Sequence, residues 1–180
     1  SPISITVPPG AVPGTYNATI TMRKMVQPQC PSAAVPFTVT ILANPTCNIA
    51  GAAEVCANSL NNAYMGSGGS TYSWSITGNG TISSLPTAQN ISVTAGAAGN
   101  YTLTLIVTAA NGCTSTCMKM VTVKPNPVCN ITGPTTVCPG STNQHCSQNT
   151  ADSYSWAVSS GGMISGSGIG QCVDIIASGT

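Results

Sequence analysis

The sequence predicts an all-β chain of small β-sandwiches in tandem, on three observations. NPTCNIAGAAEVC from Asn44 returns as NPVCNITGPTTVC from Asn126, and TYSWSIT from Thr71 returns as SYSWAVS from Ser153. That constant step of 82 residues (44 to 126, 71 to 153) marks an array whose period is one small domain. Apolar residues alternate with Thr and Ser, the period of half-buried strands. No segment carries a helical period, and Gly, Asn and Pro punctuate the runs.

The complete repeat occupies residues 44–125. Within it Tyr72, Trp74 and Ile76 alternate with small polar residues, as do Ile91 and Val93, and then Tyr101, Leu103, Leu105 and Val107. Asn79-Gly80 and Asn111-Gly112 read as two-residue hairpin turns needing positive φ, and Gly96 and Gly99 punctuate the turn before the Tyr101 run. About seven short strands in a domain of this size form a two-sheet sandwich. Asn44-Pro45 and Pro125-Asn126-Pro127 are short, Pro-stiffened joints that hold neighbouring domains semi-rigidly.

Residues 1–43 match the second half of the repeat. Gly14-Thr15-Tyr16 echoes Gly99-Asn100-Tyr101, and Val39-Thr40-Ile41 echoes Val121-Thr122-Val123. Residues 126–180 match the first half. The halves overlap slightly around the runs that contain Ile3 and Val173. Two explanations compete: the chain is cut from a longer array, or the carboxyl-terminal half of one copy completes the amino-terminal half of the next. The second makes a heterologous, non-closing contact that builds filaments, in the manner of strand exchange. Ser1 is not a natural start, so a mature or excised piece of a longer protein is expected.

Composition narrows the function. Charged residues are 4% of the chain and the net charge is +1, against about 25% charged residues in an average globular protein. A nucleic-acid binder would need a basic stripe. A polybasic membrane anchor is excluded for the same reason. The apolar run from Leu103 to Ala110 is too short and Thr-rich to span a bilayer. The apolar share of 42% argues against disorder. Nine cysteines with few lysines place the chain outside the cell, at or beyond the cell surface, where thiols oxidise.

The pattern C-x-I-x-G-x(3)-V-C, then YSW, G-x-Y-T-L-T-L-x-V-T, NGC-x(3)-C and V-T-V resembles the PKD-like, immunoglobulin-like repeats of very large secreted bacterial surface proteins, notably of the Bacteroidota type. The resemblance covers nearly the whole chain. It implies an extracellular, disulfide-stapled sandwich used as spacer, adhesin or matrix component, and leaves the activity open because fold does not fix function. Val35 stands where the repeat has Cys117, a departure that removes one half-cystine from the first domain.

In a sandwich whose first and last strands lie side by side, Cys47, Cys56, Cys113 and Cys117 can converge. The expected bonds are Cys56–Cys113 and Cys47–Cys117. The rival is a four-thiolate zinc site, disfavoured because Cys47 and Cys56 are too far apart for a close ligand pair. Cys129 and Cys138 repeat Cys47 and Cys56, while Cys30 lies near the Cys113 position with its partner outside the chain. Cys146 and Cys172 have no cysteine counterparts, Tyr64 and Asn90 holding those places. They are expected to form a private disulfide, with an interchain bond as the alternative.

The remaining candidates read as structural. Trp74 and Trp156 are core tryptophans rather than sugar-stacking platforms. Tyr101 and Tyr16 sit where a tyrosine corner would be. His145 and Cys146 are adjacent on a strand and face opposite ways, so they make no Cys/His nucleophile. Glu54, Asp152 and Asp174 are the only acidic side chains, too few for an acid/base pair within a repeat or for a calcium cage. Arg23 and Lys24, between Met22 and Met25, form the one charge cluster and read as a guard on a strand edge. Asn17, Asn79, Asn90, Asn100 and Asn130 head Asn-x-Ser/Thr triplets, the acceptor pattern for glycans. No catalytic residue, metal or cofactor is expected. The expected role is structural: a unit of an extracellular filament, sheath or adhesin stalk that self-associates. The alternatives are a module binding glycans or surface proteins, and an accessory domain of a secreted hydrolase.

Overall fold

The structure, a computed structural model, is described over residues 4–23 and 30–179. Among the described residues it is all-β, with fourteen strands in four sheets, and the chain divides into two compact units, Ser1–Pro125 and Asn126–Thr180.

The first unit holds a hairpin and a sandwich. The hairpin pairs β1 (Gly14–Ile20) with β2 (Val35–Ile41). The sandwich stacks the sheet β3-β5-β8-β7 on the sheet β4-β10-β9-β6. In the first of these lie β3 (Asn48–Gly51), β5 (Asn62–Ser67), β8 (Asn90–Ala95) and β7 (Gly80–Ile82). The second contains β4 (Glu54–Cys56), β10 (Thr114–Lys124), β9 (Gly99–Thr108) and β6 (Thr71–Gly78).

The two-residue alternation built this core. Ile91, Val93 and Ala95 of β8, then Tyr101, Leu103, Leu105 and Val107 of β9, then Val121 and Val123 of β10 are all buried between the sheets. Trp74 joins them from β6 and Tyr64 from β5. Fully burying one Leu or Val side chain is worth about 1.5–3 kcal/mol, so this cluster outweighs any surface pair. The Thr and Ser partners of the alternation face outward.

Asn111-Gly112 lies in the β9–β10 hairpin, where Gly112 takes the left-handed conformation (φ 83°). The loop runs over 109–113, closed by Ala109 N–H to the Cys113 carbonyl at 2.9 Å, so it is longer than the two residues expected. Asn79-Gly80 makes no hairpin. β6 pairs β9 in one sheet and β7 pairs β8 in the other, so the chain changes sheet at Asn79. The left-handed residue there is Gly78 (φ 91°). A Cβ on Gly78 would meet the Asn100 carbonyl oxygen at 2.5 Å.

The second unit is one sheet, ordered β11-β12-β14-β13. Its strands are β11 (Ile131–Thr132), β12 (Thr142–Ser147), β13 (Gly162–Ser165) and β14 (Cys172–Ala177). This is the order of β3-β5-β8-β7. The segment that carries Tyr154 and Trp156 belongs to no strand, although Trp156 N–H donates to the Gly168 carbonyl at 2.9 Å. Its counterpart in the first unit, Trp74 N–H, donates to the Pro86 carbonyl at 2.8 Å. The backbone is placed alike in both; among the described residues of the second unit no strand pairs with this segment as β9 pairs with β6.

Candidate functional site: the cysteines and the two poles of the sandwich

Cys47 lies just before β3, and Cys117 is the fourth of the eleven residues of β10. They are joined in a disulfide with a Cα–Cα distance of 5.6 Å, closing a sequence separation of 70. Both pack against the core. The bond staples the first sheet to the second, close to where the chain enters the sandwich.

The expected Cys56–Cys113 bond does not form; both thiols are free. β4 runs parallel to β10 with Cys56 opposite Lys124, whereas Cys113 immediately precedes Thr114 at the other end of the same strand. Eleven residues of β10 separate them, on the order of 35 Å at about 3.3 Å per residue. The first strand does lie beside the last, but it is split: β3 joins one sheet and β4 the other, which sends Cys47 and Cys56 to opposite poles. The same separation rules out the four-thiolate zinc arrangement.

Each pole is tied to its linker. At the carboxyl-terminal pole, Ala57 N–H donates to the Lys124 carbonyl at 2.8 Å, and Lys124 Nζ meets Glu54 Oε2 at 2.5 Å. The hydrogen bond and charge of Glu54 raise the Lys124 pKa. Both side chains are exposed, so the pair contributes little to stability. At the amino-terminal pole, Asn111 Nδ2 donates to the Ala43 carbonyl at 3.2 Å, and Cys113 N–H donates to Asn111 Oδ1 at 3.0 Å.

Between the poles, Tyr64 and Tyr101 share a hydrogen bond of 2.6 Å between their hydroxyls. Their rings meet edge to face with centroids 6.4 Å apart. Burial raises the pKa of Tyr101, and the bond to Tyr64 raises it further. Burial also raises that of Tyr64, with the bond to Tyr101 acting against the shift. Tyr101 is therefore not a tyrosine corner. It points inward, where Tyr64 is the group within reach. Tyr16 does make the corner contact, donating to the Val12 carbonyl at 2.8 Å. Trp74 is 5% exposed and its indole N–H donates to the Ala88 carbonyl at 2.9 Å. Trp156 is half-buried, with its indole N–H on the Gly170 carbonyl at 2.8 Å.

In the second unit Cys146 and Cys172 are directly paired across β12 and β14 and form a disulfide. Their places differ from those expected. In the first sandwich Tyr64 pairs Ile91 and Met65 pairs Asn90; in the second unit His145 pairs Val173 and Cys146 pairs Cys172. Cys146 thus takes the place of Met65 and His145 that of Tyr64, a one-residue slip along β12. Two glycines agree with this register. A Cβ on Gly51 would lie 2.4 Å from the Tyr64 ring, and one on Gly133 would lie 2.5 Å from the His145 ring. His145 Nε2 is 3.2 Å from the Pro134 carbonyl, and Cys146 is consumed by its disulfide.

Cys30, Cys129 and Cys138 are free and exposed. Of the five Asn-x-Ser/Thr positions, all are exposed. Asn79 and Asn130 already use their side-chain amides, Asn79 toward the Ala97 and Ala98 carbonyls and Asn130 toward Gln148. Arg23 is bridged to Pro31; Lys24, Met25 and Ile3 lie outside the described residues. No helix among the described residues is long and apolar enough to cross a membrane.

The two sheets, their order and the buried tryptophan define an immunoglobulin-like β-sandwich. Residues 42–123 match the PKD-like domain family, a span that coincides with the first unit's sandwich. No curated protein is significantly similar to the chain.

Proposed function

We propose that this chain is a structural module of an extracellular bacterial stalk, sheath or filament. One observation carries the reading. Tension entering at Asn44 reaches Cys47 within three residues and crosses the Cys47–Cys117 bond, so a covalent bridge carries the load past a sequence separation of 70 and leaves only the end of β10, from Met118 to Lys124, in line. A stapled, PKD-like sandwich of low charge suits a load-bearing spacer better than it suits chemistry. Its Thr- and Ser-rich outer faces can pack on neighbours without charge repulsion.

A finer form of the reading is that half sandwiches of the kind seen here complete one another end to end. The hairpin supports it. β1–β2 pairs Gly14 with Ile41, Tyr16 with Val39 and Ile20 with Val35; β9–β10 pairs Gly99 with Val123, Tyr101 with Val121 and Leu105 with Cys117. The two hairpins share one register. Yet Tyr16 is 46% exposed where Tyr101 is 1% exposed. The missing neighbour of Trp156 is a hairpin of this kind, supplied along an array or by another copy.

The test is antibody labelling of intact producing cells, together with the redox state of Cys47 and Cys117 in the native protein. Surface labelling and an oxidised pair are expected. A cytosolic protein with both thiols reduced would overturn the proposal.

A further inference from the structure

The sheet of the second unit carries an open apolar groove, and the β1–β2 hairpin carries an open apolar face. We propose that the groove is a docking site for the β1–β2 hairpin of a second copy of the chain, which completes the sheet as β9–β10 completes the first sandwich. The inference rests on the reading of half sandwiches as mutually completing, and adds the occupant, the register and the contacts.

The groove is the interior of a sandwich with one sheet absent. Ile131, Tyr154, Trp156, Cys129 and Asn149 line it. Ile131 is 56% exposed where its counterpart Ile49 is 8% exposed. Trp156 is only half-buried where Trp74 is buried, although both indoles make the same bond to the backbone. Asn149 Oδ1 is buried there with no hydrogen-bond partner among the described residues, a cost that an arriving donor removes. The hairpin is the matching half: Ile20 is 37% exposed where Leu105 is buried. Neither β1, β2 nor the groove lining has a charged side chain, so docking desolvates no charge. The area suffices as well. The chain exposes 12096 Å², against roughly 9,500 Å² for two compact domains of these sizes. The excess is on the order of 2,500 Å², and a stable interface buries about 1,200–2,000 Å² in total.

The first sandwich sets the register. Trp74 pairs with Leu105, and Ile20 holds the place of Leu105 in its hairpin, so Trp156 comes opposite Ile20 of the second copy. β1 then pairs with the segment 153–160, which joins no strand within its own unit among the described residues. Tyr16 comes against His145, as Tyr101 does against Tyr64. Val35 comes beside Cys129, as Cys117 does beside Cys47. Ile5 and Val7 line the hairpin face outside any strand and give way to the sheet that docks.

The test is Val35→Cys in the full chain. Isotopically labelled and unlabelled chains are mixed, oxidised with glutathione disulfide, alkylated and mapped without reduction. The expected result is the introduced thiol bonded to Cys129 in peptides that join a labelled to an unlabelled chain, with a ladder of multimers that reductant collapses. Cys129→Ser in the same background should abolish both. An introduced thiol that is alkylated, bonded to another cysteine, or bonded only to Cys129 of its own chain overturns the inference. The unsubstituted chain gives a second readout by analytical ultracentrifugation. It should self-associate, and Ile20→Asp should weaken that association at least tenfold; a monomer at every concentration, or association that Ile20→Asp leaves unchanged, overturns the docking. Cys47–Cys117 is read in the same peptide map. Its presence beside a free introduced thiol sinks the docking and leaves the load-bearing module standing, whereas its absence sinks the load-bearing reading.

Discussion

Pulling on the chain by its ends should reveal how much of it the disulfides hide from force. Cys47–Cys117 encloses a sequence separation of 70 and Cys146–Cys172 one of 26. Unfolded chain extends by at most about 3.3–3.6 Å per residue, so the two bonds conceal on the order of 240 Å and 90 Å of contour length. In a single-molecule force experiment the oxidised chain should yield only the segments outside the two loops. Reductant added under load should then release two further steps of about those lengths. Replacing Cys47 and Cys117 with Ser should remove the larger step and leave the smaller. Equal contour lengths with and without reductant would refute the covalent bypass, because the load would then be travelling through hydrogen-bonded strands.

Other perturbations address the core and the staples. Tyr101→Phe should cost about 1–3 kcal/mol, since it leaves the Tyr64 hydroxyl buried without its partner, and Tyr64→Phe/Tyr101→Phe should cost less than the single change; denaturant unfolding in a Trp156→Phe background checks this. Both tyrosines have pKa values raised by burial, so the folded state keeps protons that the unfolded state releases. Stability should hold below about pH 10 and fall as pH rises above it, and the double Phe variant should flatten that fall in pH-dependent melts. Removing Cys146–Cys172 with paired Ser substitutions should destabilise the second unit by about 3 kcal/mol on loop-closure grounds, read from Trp156 fluorescence in a Trp74→Phe background.

The core was legible because its cause is local. Tyr101, Leu103, Leu105 and Val107 alternate over a long run, and only a strand with one buried face is stable with that pattern. The pairing of Cys47 with Cys117 was legible for a similar reason, since a first strand usually lies near a last one. What escaped depends on events between strands. Asn79-Gly80 has hairpin chemistry, but the β6 pairing with β9 carries the chain into the other sheet. Cys56 follows Cys47 closely in sequence, yet the split between β3 and β4 sends it to the far pole. His145 could not be matched to Tyr64 by counting residues, because β12 slips by one against the repeat, and only the pairing with Val173 exposes it. The Tyr154–Trp156 run has strand periodicity and no strand pairing, since periodicity reports a face and pairing needs a neighbour.

Electron microscopy of the native material, unreduced and dilute, tests the structural role most directly. The account predicts straight, beaded rods or filaments whose axial repeat is set by successive sandwiches. Dispersed single particles with no linear order would contradict it.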